Sequence, residues 1–331
     1  MQVPFFDPKH FNGAVELHHL GIVECLGADA CHFLHQQLTQ ELMALPAGSS
    51  TMAGFCNAKG RLQASMVVFK VSNEQLYLVL KKDLLERTLK RLSMFVLRAK
   101  VKLQNATEGF KLIGAMGSLA MLPSTQEGLI LKAPLQSAIG TDRALFLAHV
   151  SFNLEEFHST LSSNTLNTER WLLSETLSGV AWVEERTFEH FVPQMLNFES
   201  SGAISFKKGC YPGQEVVARS QFRGTLKKRT VIVFSLEPLN VGMELFSALH
   251  SSESCAEIVQ VSRYEDFYVA LACFQIETLM KAIDPDQPEH SFNDFLKRDA
   301  FWTQSFGLSA QMDTELNLGF YPLPYLLLDD I

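Results

Sequence analysis

Apolar and polar positions along the chain fall into short, mostly strand-like stretches broken by helical ones. Residues 14–26 read as a strand, and Gly27-Ala28-Asp29 then offers a turn and an N-cap for a helix with apolar residues at Ala30, Phe33, Leu34 and Leu38. Residues 51–56 and 61–71 form a hairpin around Asn57-Ala58-Lys59-Gly60, where Gly60 takes a backbone conformation that other residues resist. A third strand covers 76–80. Asp83 caps a helix whose Leu84, Leu85, Leu89, Leu92, Phe95 and Val96 fall largely on one face. This order predicts an antiparallel sheet covered by helices, not a doubly wound parallel one.

Polar stretches containing proline or glycine mark loops at 121–134 and 159–168, and a helix spans 169–177. After Lys228 the pattern turns to β-rich segments at 229–236, 257–264 and 267–276, which predicts a small all-β domain. The boundary falls near Arg229, giving domains 1–229 and 230–331 in an α+β protein. The polar segment 282–299, with two prolines, reads as a long loop, and Leu326, Leu327 and Leu328 as strand core.

Composition narrows this picture. A chain of 331 residues that is 47% hydrophobic and 19% charged has enough apolar mass for a real core in two or three domains. It lacks the ~20 uninterrupted apolar residues of a membrane span. Its start carries Pro4, Asp7 and Pro8 where a signal peptide needs an apolar run, so it reads as cytoplasmic. The six cysteines are scattered and form no CxxC pair, which points to reduced thiols and away from a cysteine-only metal site. A net charge of -8 does not attract phosphate backbones, so any anion site is local. His32 and His35 lie one helical turn apart, a spacing that offers two ligands to a metal, but they read better as a partly exposed helix face; no metal is predicted. His18 and His19, adjacent in a strand, point to opposite faces.

One segment stands apart, SFKKGCYPGQEVVARSQFRGTLKKR at 205–229. Lys207, Lys208, Arg219, Arg223, Lys227, Lys228 and Arg229 concentrate positive charge here, opposed only by Glu215. Gly209 and Gly213 bracket Cys210, Tyr211 and Pro212 in a tight loop leading into a helix whose first turn carries Gln214 and Glu215. Nearness to a helix N-terminus and to Lys208 favours the thiolate, which singles out Cys210 from five thiols that read as packed or incidental. Taken alone, the segment is either a functional loop or a solvated basic face with a turn in it.

The string KGCYPGQE at 208–215, with Ala218-Arg219 and Phe222-Arg223-Gly224 after it, resembles the signature of the YgfZ family. Further matches are Gly27-Ala28-Asp29, Asn57-Ala58-Lys59-Gly60-Arg61, Phe191-Val192-Pro193-Gln194 with Asn197, and Pro322-Leu323-Pro324-Tyr325. The resemblance implies an aminomethyltransferase-like folate-binding domain of antiparallel sheets and helices, followed by a C-terminal β-barrel. It implies tetrahydrofolate or a derivative as cofactor, iron-sulfur enzymes or their assembly machinery as partners, and tRNA modification such as methylthiolation as the downstream effect, with tRNA contact indirect. The functional cysteine of the family passes to Cys210, and Lys208, Gly209, Tyr211, Gly213, Gln214, Glu215 and Arg223 come with it as the motif.

For folate, the resemblance implies contacts at Trp171, Leu20, Gln194 and Asn197. Leu20 stands where relatives carry a second pocket tryptophan, and Leu177 where they carry an acidic residue that bonds the pterin. Ala64 and Ser65 occupy positions that are acidic in aminomethyltransferases, so no aminomethyltransferase activity is expected. The alternative is a direct tRNA-binding module using 207–229, with Tyr211 and Phe222 stacking on bases.

Overall fold

The computed structural model describes residues 3–123, 128–156, 165–222, 226–247, 250–283, 292–307 and 315–328. Its strands form three antiparallel sheets, of which the last closes into a barrel. The first sheet runs in the order β3 (Ser49–Cys56), β4 (Leu62–Lys70), β5 (Gln75–Lys81), β2 (Leu20–Leu26), β6 (Lys102–Asn105). The second runs β1 (Gly13–Glu16), β7 (Phe110–Met116), β9 (Thr141–His149), β8 (Leu129–Ala138). The barrel joins β10 (Lys228–Ser235), β13 (Phe267–Gln275), β12 (His250–Tyr264), β11 (Glu244–Ser247), β14 (Phe301–Gly307) and β15 (Glu315–Tyr321). The α+β architecture with a C-terminal β-barrel is therefore the observed one.

Several boundaries differ from the sequence reading, each for a local reason. The strand expected over 14–26 is two strands in different sheets, broken by a turn at His18 and His19. Both halves are largely buried, so the apolar pattern carries no sign of the break. The loop expected over 121–134 gives way to β8 from Leu129; Pro134 is accommodated because β8 is an edge strand, where a missing N–H costs no ladder bond. Asp83 is not the cap of helix α2 (Lys82–Ser93) but lies in its first turn and accepts from the Glu185 amide at 2.9 Å, leaving Phe95 and Val96 beyond the helix end. Asp29, at the start of α1 (Ala30–His35), likewise bonds elsewhere, to the Lys100 amide at 2.7 Å.

Helix α3 (Thr168–Leu177) is capped by Asn167, and α4 (Gln214–Phe222) follows the KGCYPGQE loop. Within 282–299, read as a loop, α5 (Ile276–Ile283) ends and α6 (Phe292–Leu296) forms. Leu326 and Leu328 are exposed and outside any strand, so only Leu327 of that trio is core. One continuous core runs beneath the first two sheets and onto barrel residues Ile232, Phe234, Val259 and Leu271, which packs the barrel firmly against the rest. Among the described residues no helix is long and apolar enough to cross a membrane.

Candidate functional site

The hairpin and the KGCYPGQE loop interlock through two glycines. Gly60 (φ 71°) and Gly213 (φ 80°) both need the left-handed region, and a side chain on Gly213 would strike the Asn57 carbonyl oxygen at 2.4 Å and Gly60 itself at 2.6 Å. Asn57 fixes its own turn, its Oδ1 accepting from the amides of Lys59 and Arg61. The amides of Val216 and Val217 return to the Gly213 carbonyl and start α4. This back-to-back contact sets the position of the loop that presents Cys210.

Cys210 is exposed, whereas Cys25, Cys31, Cys56, Cys255 and Cys273 are buried. It opens onto a cleft of about 460 Å³ lined by His32, His35 and Gln36 of α1 and its end, and by Gly209, Cys210, Tyr211 and Pro212 of the loop. Lys208 anchors that loop: its ammonium donates to the carbonyl oxygens of His35 and, at 2.6 Å, Leu38, acceptors that the end of a helix leaves open. Burial pushes the Lys208 pKa down to about 8, against the pull of Glu41 and Cys210. The lysine expected beside the thiol thus points into the protein, with its ammonium 4.9 Å from the centre of the Tyr211 ring.

Between the two sheets lies a second cavity of about 240 Å³. Its walls include Ser50, Thr51 and Met52 of β3, Gln136 of β8, Arg143 of β9, and Ser178, Val180 and Trp182 after α3. It shares no lining residue with the Cys210 cleft. Behind Arg143 sits a buried charged cluster. Glu175 accepts from the Trp171 indole at 2.9 Å and lies 3.7 Å from Lys81 and 3.5 Å from His19. Burial alone would raise the Glu175 pKa, but Lys81, His19 and Arg143 outweigh it and hold the carboxyl at about 2. Burial brings Arg143 down to about 10, opposed by Glu175; its guanidinium bonds Ser174 and lies 4.7 Å from the Trp171 ring centre.

A family model described as the GCVT N-terminal domain matches residues 9–122. The chain is 30% identical over 233 residues to the tRNA-modifying protein YgfZ of Photobacterium profundum, a match covering 66% of this chain and 69% of that protein. The chain belongs to the YgfZ family. A second relative, the tRNA-modifying protein YgfZ of Aliivibrio fischeri, is 29% identical over 247 residues, covering 73% of each. The crystal structure of glycine cleavage system aminomethyltransferase T from Bartonella henselae aligns with a TM-score of 0.58 at 13% identity, covering 96% of this chain and 89% of that one, and shows the fold.

The YgfZ-family motifs do not all converge on one place. Gly209 and Tyr211 share the cleft with Cys210, Gln214 and Glu215 open α4, and Arg223 lies outside the described residues. Tyr211 is buried and unavailable for stacking on a base, Phe222 is exposed but packs edge-on against Phe206, and Arg229 is buried in an ion pair with Glu199. Of the basic, aromatic stretch, Lys207, Arg219, Phe222 and Lys227 remain exposed among the described residues. Gln194 and Asn197 hold neighbouring backbone: Gln194 donates to the Val217 carbonyl at 2.6 Å, and Asn197, at φ 58°, donates to that of Thr230 at 2.8 Å. Tyr325 of the Pro322-Leu323-Pro324-Tyr325 match donates to the Gly179 carbonyl at 2.7 Å. Leu20 lines a separate small cavity, and Leu177 is buried and apolar.

Trp171 is 1% exposed, its ring pressed against Gly114 and separated from the central cavity by Arg143. Sequence reasoning passed over Glu175, Arg143 and Trp182. For Glu175 a signal existed: it lies four residues after Trp171, the helical spacing at which a carboxylate meets an indole N–H. The carboxylate sought at Leu177 thus has a counterpart two residues earlier on the same helix. The central cavity suits one part of the tetrahydrofolate that the family resemblance implies. It is smaller than the ~300 Å³ typical at the low end for whole ligands, but has room for a bicyclic ring between apolar walls at Met52, Val67 and Trp182, with Gln136, Arg143 and Ser178 for its polar edge.

Proposed function

We propose that this protein is a folate-binding accessory protein that supports iron-sulfur enzymes and, through them, tRNA modification such as methylthiolation, with Cys210 as its working group. The observation that carries this reading is the accessibility of one thiol among six, on a loop fixed by the contact of Gly60 with Gly213. Relatives named as tRNA-modifying proteins support the downstream effect. Partners are iron-sulfur enzymes or their assembly machinery, and contact with tRNA is indirect.

In this reading Trp182 and Met52 would offer the pterin ring apolar walls, and Arg143, Gln136 and Ser178 would hold its polar edge. Trp171 backs the Arg143 guanidinium from behind. Leu20, Gln194 and Asn197 lie outside the lining of this cavity, so any effect of theirs on folate is indirect. Bound tetrahydrofolate supplies a carrier for one-carbon units, and the residues of this chain orient it and keep water from the ring. Ala64 and Ser65 are both buried, and Ser65 accepts from the Val183 amide at 2.8 Å, so neither offers an acid or base for aminomethyl transfer.

The test is rescue of tRNA methylthiolation in cells lacking the protein, by the native chain and by Cys210→Ala. Loss of rescue by the alanine form is expected, and full rescue would move the function away from the thiol. Titration with tetrahydrofolate tests the cavity separately: Trp182→Ala is expected to weaken binding about tenfold, as loss of a stacking surface does, and Trp171→Ala by less. Unchanged affinity in both variants would remove folate from this cavity.

A further inference from the structure

Positive charge gathers a second time along the chain, on α2 and the residues after it. Between positions 83 and 102 the exposed cations are Arg87, Lys90, Arg91, Arg98, Lys100 and Lys102, against two carboxylates, in a chain whose net charge is -8. Both carboxylates are engaged: Asp83 accepts from the Glu185 amide and Glu86 from the Asn105 side chain, each at 2.9 Å. Lys90 has no ion-pair partner among the described residues. The same stretch exposes Met94 by 59% and Leu97 by 86%.

Beside this face lies a groove of about 620 Å³. Arg87, Lys90, Arg91 and Met94 line it from α2 and its end, Phe55 and Gln63 from β3 and β4, and Phe188 with Glu189 from the segment before Phe191. Gln63 is 7% exposed; its Nε2 donates to Glu189 at 2.7 Å, while its Oε1 has no partner among the described residues. A buried acceptor left unpaired is costly, and in the wall of a groove an occupant's N–H supplies what the fold does not. Asn57, also in the lining, belongs to the turn whose Gly60 packs against Gly213, so an occupant meets the hairpin that seats the Cys210 loop.

We propose that this groove docks an acidic segment of a partner protein, with carboxylates against Lys90 and Arg91 and an apolar side chain beside Met94. Charge complementarity and the exposed Met94 and Leu97 select a protein over RNA. Bases stack on open rings, but here Arg87, paired with Glu185 at 2.8 Å, lies over Phe188 at 4.2 Å, and the Arg91 guanidinium lies over Phe95 at 5.1 Å. Glu86 and Glu189 in the lining repel a run of phosphates, whereas a peptide brings N–H groups to them and carboxylates only where cations stand. The surface does not depend on Cys210 being the working thiol.

The probe is a fluorescein-labelled synthetic peptide with glutamate on one helical face and leucine on the other, titrated with the full chain by fluorescence anisotropy at about 100 mM salt. This peptide is expected to bind, and a copy with glutamine in place of glutamate to bind about tenfold more weakly. Lys90→Glu with Arg91→Glu is expected to weaken the glutamate peptide about tenfold, and Met94→Ser with Leu97→Ser about fivefold. Because the other five cysteines are buried, iodoacetamide applied to the full chain reads Cys210. Its alkylation rate and the melting temperature are expected to stay native in both double variants, since all four positions are exposed. No binding of the glutamate peptide, or native affinity in either double variant, would overturn the proposal. Unmodified tRNA or phosphatidylglycerol vesicles that bind the native chain and not Lys90→Glu with Arg91→Glu would overturn it in favour of RNA or a membrane, and dimerisation lost in the same variant would do so in favour of a second copy. Full rescue by Cys210→Ala in cells would sink the functional reading alone and leave these results standing.

Discussion

The cleft around Cys210 and the cluster around Glu175 engage their charged groups in opposite ways. In the cleft, Lys208 is bonded to backbone carbonyl oxygens and Glu41 to backbone amides, which leaves Cys210 open to solvent in a cleft that His35 also lines. In the cluster, Glu175, Lys81 and Arg143 offset one another, far from water. The first arrangement shapes a site without neutralising it, and the second holds two sheets and a helix together. Substitutions should therefore change reactivity in one region and stability in the other.

The largest expected effect is that of Glu175→Gln. It leaves the buried Arg143 without its carboxylate and Lys81 with Glu184, at 3.5 Å, as its one remaining partner, a loss of about 3–5 kcal/mol. Thermal melting should show it, and Cys210 alkylation should not change. A native melting temperature would erase the contrast between the regions. The same group gives a pH signature. Its folded pKa of about 2 lies below the ordinary carboxyl value, so its stabilisation is complete above that ordinary value and disappears as pH falls toward 2. Native and Glu175→Gln chains should accordingly converge in stability across that acidic window; a constant gap down to the lower end would mean that the carboxylate is not what Lys81 and Arg143 hold.

Gly213→Ala sharpens the comparison from the other side. The left-handed backbone and the carbonyl oxygen of Asn57 at 2.4 Å both oppose a side chain, at a cost of about 1–3 kcal/mol. Because this contact positions the loop, the alkylation rate of Cys210 should shift by more than twofold as well. A loss of stability with native alkylation would show that the glycine pair is structural only.

Much of the fold was legible because it is local. The hairpin at Gly60, the helix over 169–177 and the change to β-rich segments near Arg229 each follow from patterns a few residues long, and the exposed loop at Cys210 follows from its two glycines. What stayed hidden depends on partners far along the chain. Lys208 reads as a companion of the thiol and stays within its electrostatic reach, but its hydrogen bonds go to carbonyl oxygens at and just beyond the end of α1, some 170 residues earlier. His35 reads as a surface histidine until the fold brings it to the cleft that the Cys210 loop also lines. Tyr211 and Arg229 look available for nucleic acid until the folded chain buries them. The cavity between the sheets has the same origin: Arg143 and Trp182 carry no motif, and only the meeting of β3, β8, β9 and the segment after α3 makes them neighbours.

The smallest expected effect concerns the basic stretch that remains at the surface. With Lys208 and Arg229 buried and Lys228 half-buried, Lys207, Arg219 and Lys227 are its exposed basic residues among the described residues, opposed by the exposed Glu215. Three spread charges on a chain of net charge -8 give weak, salt-sensitive attraction to a phosphate backbone. Unmodified tRNA should therefore bind barely at about 50 mM salt and not at all at about 200 mM, and Lys207→Glu with Arg219→Glu should leave both Cys210 alkylation and tRNA methylthiolation near native. Loss of methylthiolation in that double variant would make this face a working surface. It would then join the Cys210 cleft as a second region whose side chains are held open for a partner rather than for the fold.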